Sequence, residues 1–552
     1  MILHVDFETR STLELPDVGL TKYAAHPTTD AWCMGWAFDD EEPGILPILF
    51  HPFGEPVLPA RLLTHITDGG LVAAHNAHFE WATWNSIMVP RYGWPVLKIS
   101  QCRCSMAQAY SMALPGSLEK AAAAVGIAQQ KDLAGGRLCL QMARPKTTDP
   151  LTWWDEPEKL DALYEYCKQD VRVEQELSKR LLPLSPSEQH LWEIDHAINE
   201  RGVFIDEPSI RSAIQIVGRD QERLAGEIRR ITDGAVGSPR EVAGLTRWLT
   251  GRGVPDVDGI AKADILDLLG RDGLPDDVRA ALLVRQESAK TSTAKLTKML
   301  DAAYHGRVAN TMQYHGAGTG RWAGRRIQPH NMPRPRLKRH EIEEILSWLP
   351  STPTEEAIAK IEVLYGQPMS VISDCLRGMI CAAPGNELIA VDYANIEGRV
   401  IAWLAGEQWK LDAFVAADNK TGPGIYELAY AKSFHVPVNE VTKDQRQIGK
   451  VEELALGFGG GVGAFKTMAR NYGVKMSDAE ADAVKEGWRA AHPNIVQYWW
   501  DVERASKEAV TNPGTQTSAG PADRAVKFRV KGSFLFCLLP SGRMLTYPYP
   551  QL

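Results

Sequence analysis

Asp6 and Glu8 stand two residues apart in the apolar opening run M-I-L-H-V-D-F-E-T. On a strand, residues i and i+2 share a face, so both carboxylates can point at one cation. Oxygen sets of this kind suit Mg²⁺ or Mn²⁺. A third carboxylate, Glu80, falls in the first turn of a helix that follows the apolar run from Leu71 to Ala74. Asn76 stands where it can cap that helix or orient a neighbour. Tyr166 and Asp170, four apart in the helical stretch 163–182, lie on one helix face. There the phenol can position a water and the aspartate can bind metal. Each acid alone reads as an ordinary surface residue. Four acids in this order suit a two-metal phosphodiesterase, in which one ion generates hydroxide and the other stabilises the leaving 3′ oxygen.

A second constellation lies in the other half of the chain. Leu388, Ile389, Ala390 and Val391 read as a short buried strand that delivers one carboxylate, Asp392, at its end. Asn395 can then cap a helix beginning with Ile396 and Glu397. Further on, the pattern predicts a helix over 443–456, with Arg446, Lys450, Leu454 and Phe458 recurring every fourth residue. Two cations one turn apart can clamp a triphosphate, the arginine as a fork and the lysine as a point charge. Phe458 offers a ring for a base to stack on, and Gly459 leaves room for backbone beside it. An Arg–Lys pair on a helix is ordinarily exposed charge; the phenylalanine and glycines at the end of the same stripe argue for more.

Net charge is −8, which does not advertise nucleic-acid binding, but the average hides a local exception. Between Arg321 and His340 seven arginines and lysines occur with no acid, and such a stretch can neutralise phosphates on an acidic protein. It contains Thr319-Gly320-Arg321 at its start, then Gln328 to Pro333 with Asn331 inside. Upstream, Lys290, Lys295 and Lys298 share a predicted helix with serines and threonines between them. That helix is either a solvated face or a grip on a duplex backbone.

These residues need several domains to position them, and 552 residues exceed a single core. No apolar run approaches the roughly 20 residues of a membrane span, and the N-terminus reads as a strand rather than a signal peptide. Eight scattered cysteines suggest reduced thiols in a cytosol. The order of the two constellations resembles that of a right-handed polymerase preceded by a nuclease domain, which implies an α/β domain over 1–182, a helical connector and thumb over 183–310, and a palm over 311–400. A polar helical insertion near 345–370 interrupts the palm; helical fingers over 401–500 and a partial return to the palm over 501–552 follow.

The first constellation resembles the tyrosine-bearing branch of the DEDD 3′–5′ exonucleases. That resemblance implies a ribonuclease H-like fold, two bound ions, metal binding by Asp6, Glu8 and Asp170, and water positioning by Tyr166. The family's second motif ends in aspartate; Glu80 stands there instead. With Asp392-Tyr393-Ala394-Asn395-Ile396-Glu397-Gly398-Arg399, the whole chain resembles a bacteriophage-type family A DNA polymerase. The implied activity is template-directed DNA synthesis with proofreading, acting on primer–template DNA, single-stranded 3′ ends and deoxynucleoside triphosphates. The resemblance assigns both polymerase metals to Asp392, nucleotide contacts to Tyr393, Arg446, Lys450 and Phe458, and exclusion of the 2′-hydroxyl to Glu397. It assigns DNA contacts to Asn76, Lys290, Lys295, Arg321, Gln328, Asn331 and Gly459. Leu454 departs from the cellular enzymes, which carry an aromatic residue there.

Family A polymerases hold a second palm carboxylate in a His-Asp-Glu or His-Asp-Ser turn, and no such turn follows the fingers here. The palm is therefore expected to be incomplete and the chain to polymerise poorly alone. Three readings follow: a polymerase completed by a second polypeptide, a truncated chain active only as an exonuclease, or a silent DNA-binding remnant. All place the protein in the cytoplasm of a bacterial or phage-infected cell, with no membrane partner.

Overall fold

Strand β1 (Ile2–Arg10) is the axis of the first half of the chain. Its alternation is strict. Leu3, Val5 and Phe7 enter a core with Trp84, Trp94 and Trp192, while His4, Asp6 and Glu8 occupy the opposite face. In the computed structural model, which describes residues 1–50, 54–127, 133–255, 257, 259–474 and 476–552, this strand is the centre of a sheet. It pairs antiparallel with β2 (Asp30–Phe38), which continues to β3 (Gly44–Pro47). On its other side it pairs parallel with β4 (Leu71–Ala74), which leads to β5 (Cys102–Cys104).

Contacts divide the chain into two compact units, residues 1–110 with 116–388, and residues 111–115 with 389–552. The stretch 311–400, expected as one palm, is thus shared between them. In the first unit the sheet is followed by helices Pro186–Arg201, Glu207–Ile231 and Asp276–Ser288. The apolar stripes of the last two bury Ile210, Ile216, Leu224, Ile228 and Leu282 in one core. Asp206 starts the long helix by accepting from the Ser209 amide at 3.1 Å, as an N-cap should.

Two expectations for this region change. Lys290 is not on a helix with Lys295 and Lys298: one helix ends at Ser288, Thr291–Thr293 forms a 3₁₀ turn, and the next helix runs Ala294–Asp301. The hydroxyls break it, since Thr293 Oγ1 donates to the Lys290 carbonyl at 2.8 Å and Ser288 Oγ to that of Arg285 at 3.1 Å. The insertion is less polar than it reads. Helices Arg339–Trp348, Thr354–Leu364 and Pro368–Cys375 bury Ile345, Ile361, Met369 and Ile372 in the same core. Glu287 accepts from both the amide and the hydroxyl of Ser370, at 2.7 and 2.6 Å.

In the second unit the helix predicted over 443–456 runs Lys443–Leu456, opened by a capping box between Thr442 and Gln445. Gly449 permits its packing, because a Cβ there would collide with the Tyr426 carbonyl oxygen. Helix Pro493–Thr511 lies on a four-stranded antiparallel meander, Gln516–Ala519, Val526–Lys531, Phe534–Leu538 and Met544–Pro548.

The strand expected at 388–391 does not form. These residues are irregular and exposed, Val391 to 91%, and Asp392 is exposed with them. Among the described residues no strand pairs with the segment, and an apolar run without a ladder partner has nothing to satisfy its backbone or cover its side chains. The helix after it does begin at Ile396, but Asn395 enters at φ 49° and its side chain makes no cap bond. Arg399 ties down that helix start instead, through a two-point pair with Asp418 at 2.7 and 2.8 Å.

Candidate active site

Helix α1 (Ala77–Thr83) follows β4 directly, with Asn76 at its N-cap in the left-handed region and no side-chain cap bond. It carries Glu80 into the interior. Helix α2 (Leu133–Met142) and helix α3 (Pro157–Arg180) complete the surroundings of β1. α3 covers the face that bears His4, Asp6 and Glu8.

The close approach of α3 depends on Gly35. This glycine sits opposite Asp6 in the β1–β2 pair. A Cβ there would lie 3.0 Å from both Cys167 Sγ and Val171 Cγ2. Without a side chain, α3 descends far enough for Tyr166 and Asp170 to reach the acids. The β1–β2 register also shifts between Glu8 and Thr9, and such a bulge re-aims the neighbouring side chain.

The expected acids influence one another: Glu80 feels Asp6 and Glu8, and Tyr166 feels Asp170 and Glu8. Glu80 is 4% exposed and its Oε2 is buried with no hydrogen-bond partner. Burial first, then the charges of Asp6, Glu174 and Glu8, hold its carboxyl well above the usual range. Tyr166 is buried and bonded to Asp170. Burial and the nearby carboxylates of Asp170 and Glu8 push its phenol upward, so it remains a neutral donor. Among the described residues, no three His, Cys, Asp or Glu side chains form a ready coordination set. The charges of Asp6, Glu174 and Glu8 each disfavour the ionised form of Glu80. A desolvated carboxylate with an orphan oxygen, facing two others, fits a divalent ion.

Sequence reasoning missed four participants. Glu174, one turn beyond Asp170 on α3, is buried and paired with His4 of β1, and its Oε1 has no hydrogen-bond partner. The spacing of Tyr166, Asp170 and Glu174 was a signal for it. Cys139 donates to Glu8 Oε2 at 2.8 Å, and Cys167 Sγ lies 3.5 Å from Asp6 Oδ2. Gly35 offered none.

The expected DNA contacts group by place. Asn76 and Gln328 line one cleft of about 580 Å³, together with Phe79, Lys298, Arg325 and Arg326. Lys290, Lys295 and Asn331 line another of about 1010 Å³, with Arg334 and Arg336. Lys295 Nζ also donates to the Ile327 carbonyl at 2.7 Å, and burial, then the charge of Lys298, lowers its pKa. Arg321 is exposed and lines neither.

In the second unit, Arg446 donates to Glu427 at 2.6 Å, and Lys450 lies 5.0 Å from the ring centroid of Tyr472. Phe458 is 71% exposed and borders a cleft of about 890 Å³ with Gly459, Trp499 and Trp500. Gly459 has φ 76°, a conformation that favours glycine. Asp392 and Tyr393 stay on the exposed segment, and Glu397 lies in the first turn of the helix that follows it.

Known proteins are similar to this chain in sequence and in fold. The DNA polymerase of Bacillus phage SP02 is 34% identical over 569 aligned residues, spanning all of this chain and 83% of that protein. The chain belongs to DNA polymerase family A. The family's sequence profile matches residues 262–520. DNA polymerase I of Pseudomonas aeruginosa is 30% identical over 145 residues, 26% of this chain and 14% of that protein. Among solved structures, the POL domain of Pol1 from M. smegmatis, in complex with DNA primer-template and dNTP, superposes with a TM-score of 0.56. The match covers 94% of this chain and 76% of that one at 16% identity, a likeness of fold. No helix among the described residues is long and apolar enough to cross a membrane.

Proposed function

We propose that this family A chain is a DNA-directed DNA polymerase with a 3′–5′ exonuclease in its first unit, acting on primer–template DNA and on unpaired 3′ ends. The observation that carries the exonuclease is the electrostatic influence of Asp6 and Glu8 on Glu80, and of Glu8 and Asp170 on Tyr166. The five-stranded mixed sheet with α3 across it is in keeping with a ribonuclease H-like fold.

Asp6, Glu8 and Asp170 would hold two Mg²⁺ or Mn²⁺ ions, with Glu80 completing the set. Bound there, the ions supply a nucleophile at neutral pH and charge stabilisation for the leaving oxygen. The chain's own residues do the rest. Tyr166, neutral and bonded to Asp170, presents its hydroxyl to orient a water. Glu174 and His4, paired beneath, hold the register of α3 on β1. In the second unit, Arg446 and Lys450 would receive the triphosphate, Phe458 the template base, and Glu397 would crowd the sugar 2′ position.

A second reading applies to this polypeptide acting alone. Asp392 lies on an exposed segment with no strand beside it among the described residues, so it is not held as a metal ligand must be. Pairing of residues 387–394 with a strand contributed from elsewhere, including a second polypeptide, would place it. On this reading the 552-residue chain digests 3′ ends and extends primers poorly. The test is Mg²⁺-dependent digestion of single strands labelled at either end and blocked at one. Loss limited to strands with a free 3′ end supports the exonuclease; digestion from 5′ ends, or none, refutes it. Robust primer extension by the same polypeptide would refute the second reading.

A further inference from the structure

Two arginines of the first unit share a pocket with no carboxylate to balance them. The pocket, of about 480 Å³, is lined by the long helix Glu207–Ile231 and by the turn after helix Asp276–Ser288. Arg240, Arg285 and Lys290 line it, and no acid stands among the described residues that do. Arg285 Nε is buried without a hydrogen-bond partner, and its Nη2 meets the Ile260 carbonyl at 3.5 Å. Burial, then the charge of Arg240, lowers the Arg285 pKa, so the two guanidinium groups feel one another. Helix Ala294–Asp301 begins at the same pocket, and its N-cap, Thr293, makes no side-chain cap bond. A positive helix end beside two unbalanced guanidinium forks favours an anion.

We propose that this pocket binds the terminal phosphoryl group of a small anion, with Arg240 and Arg285 as its forks and Lys290 as a third charge. A terminal group presents three oxygens on one side and can enter as far as the buried Nε. An internal phosphodiester, flanked on both sides by sugars, would stay at the rim. Gly218 on the long helix keeps the wall open, since a Cβ there would meet nothing within 4 Å. The volume suits a ligand larger than bare phosphate, small-molecule sites running from about 300 to 1,000 Å³. Neither Arg240 nor Arg285 has a part in the proposed polymerase or exonuclease chemistry, so the inference stands apart from both.

The test is calorimetric titration of the full chain with pyrophosphate, in EDTA and at low salt, where charge pairing is least screened. The expected result is binding by the wild type that weakens at least about tenfold in Arg240→Gln and in Arg285→Gln. Gly218→Glu should weaken it as much, because it brings a carboxylate to both arginines without removing either, and glutamate suits a helix better than glycine. The double variant Arg446→Gln, Lys450→Gln, which removes the cations proposed to receive the triphosphate, should keep the binding. No binding by the folded wild type, or binding that both arginine variants retain, overturns the proposal. Loss in the Arg446, Lys450 variant alone overturns it too, by placing the anion in the second unit. Displacement of pyrophosphate by duplex DNA without terminal phosphates would assign the pocket to backbone phosphates and overturn the terminal-group assignment.

Discussion

Glu80, when charged, is costly to its own fold. Its carboxyl is held above the usual range by burial and by Asp6, Glu174 and Glu8. A raised folded pKa means that stability is full below the ordinary carboxylate range and lost as pH rises through the folded value. Glu80→Gln should therefore raise the metal-free melting temperature at pH 7 by a few degrees, about 2–4 °C per kcal/mol for a domain of this size. The same variant should lose much of the additional stabilisation that Mg²⁺ gives the wild type, which calorimetry with and without the ion can read. Glu452 makes a parallel case away from any acid cluster. It is fully buried, accepts from Ser433 Oγ at 2.7 Å, and its Oε1 has no hydrogen-bond partner. Burial, followed by the weaker effect of Glu453, pushes its carboxyl up to about 8 against an ordinary 4.5. Stability of the second unit should fall between those pH values, by an amount on the order of a few kcal/mol. Glu452→Gln should flatten that slope in denaturation curves taken across the window.

At the scale of elements, the site depends on where helices are allowed to approach. Gly35→Ala puts a methyl group against Cys167 and Val171 and should lift α3 from β1. The cost is about 1–3 kcal/mol of overpacking, with exonuclease activity falling more than stability, because Asp170 and Tyr166 ride on that helix. Digestion rate and melting temperature measured on one preparation would separate the two effects. How far the elements were legible follows the physics that forms them. Helix Lys443–Leu456 was readable to its ends because a capping box and a four-residue stripe are local signals. Asp6 and Glu8 were readable because strand alternation is local too. The strand at 388–391 was misjudged because its apolar composition describes a place in a sheet, and a strand exists only where a neighbour supplies the other half of each hydrogen bond. Gly35 and Cys139 act across the sheet–helix interface, and only their meeting in space gives them meaning.

For the whole molecule, the two units pose separate questions. Family membership covers the full length through the phage relative, while the profile match begins only at residue 262 and leaves the first sheet outside it. The exonuclease therefore stands on the acids themselves. One measurement tests it most directly: removal of a mismatched, labelled 3′ nucleotide from a primer–template in Mg²⁺, by the wild-type chain and by the Asp6→Ala, Glu8→Ala double variant. The account predicts removal by the wild type and a loss of at least about 100-fold in the double variant, as expected when direct metal ligands are deleted. Equal removal by both proteins, with the fold intact, would contradict it.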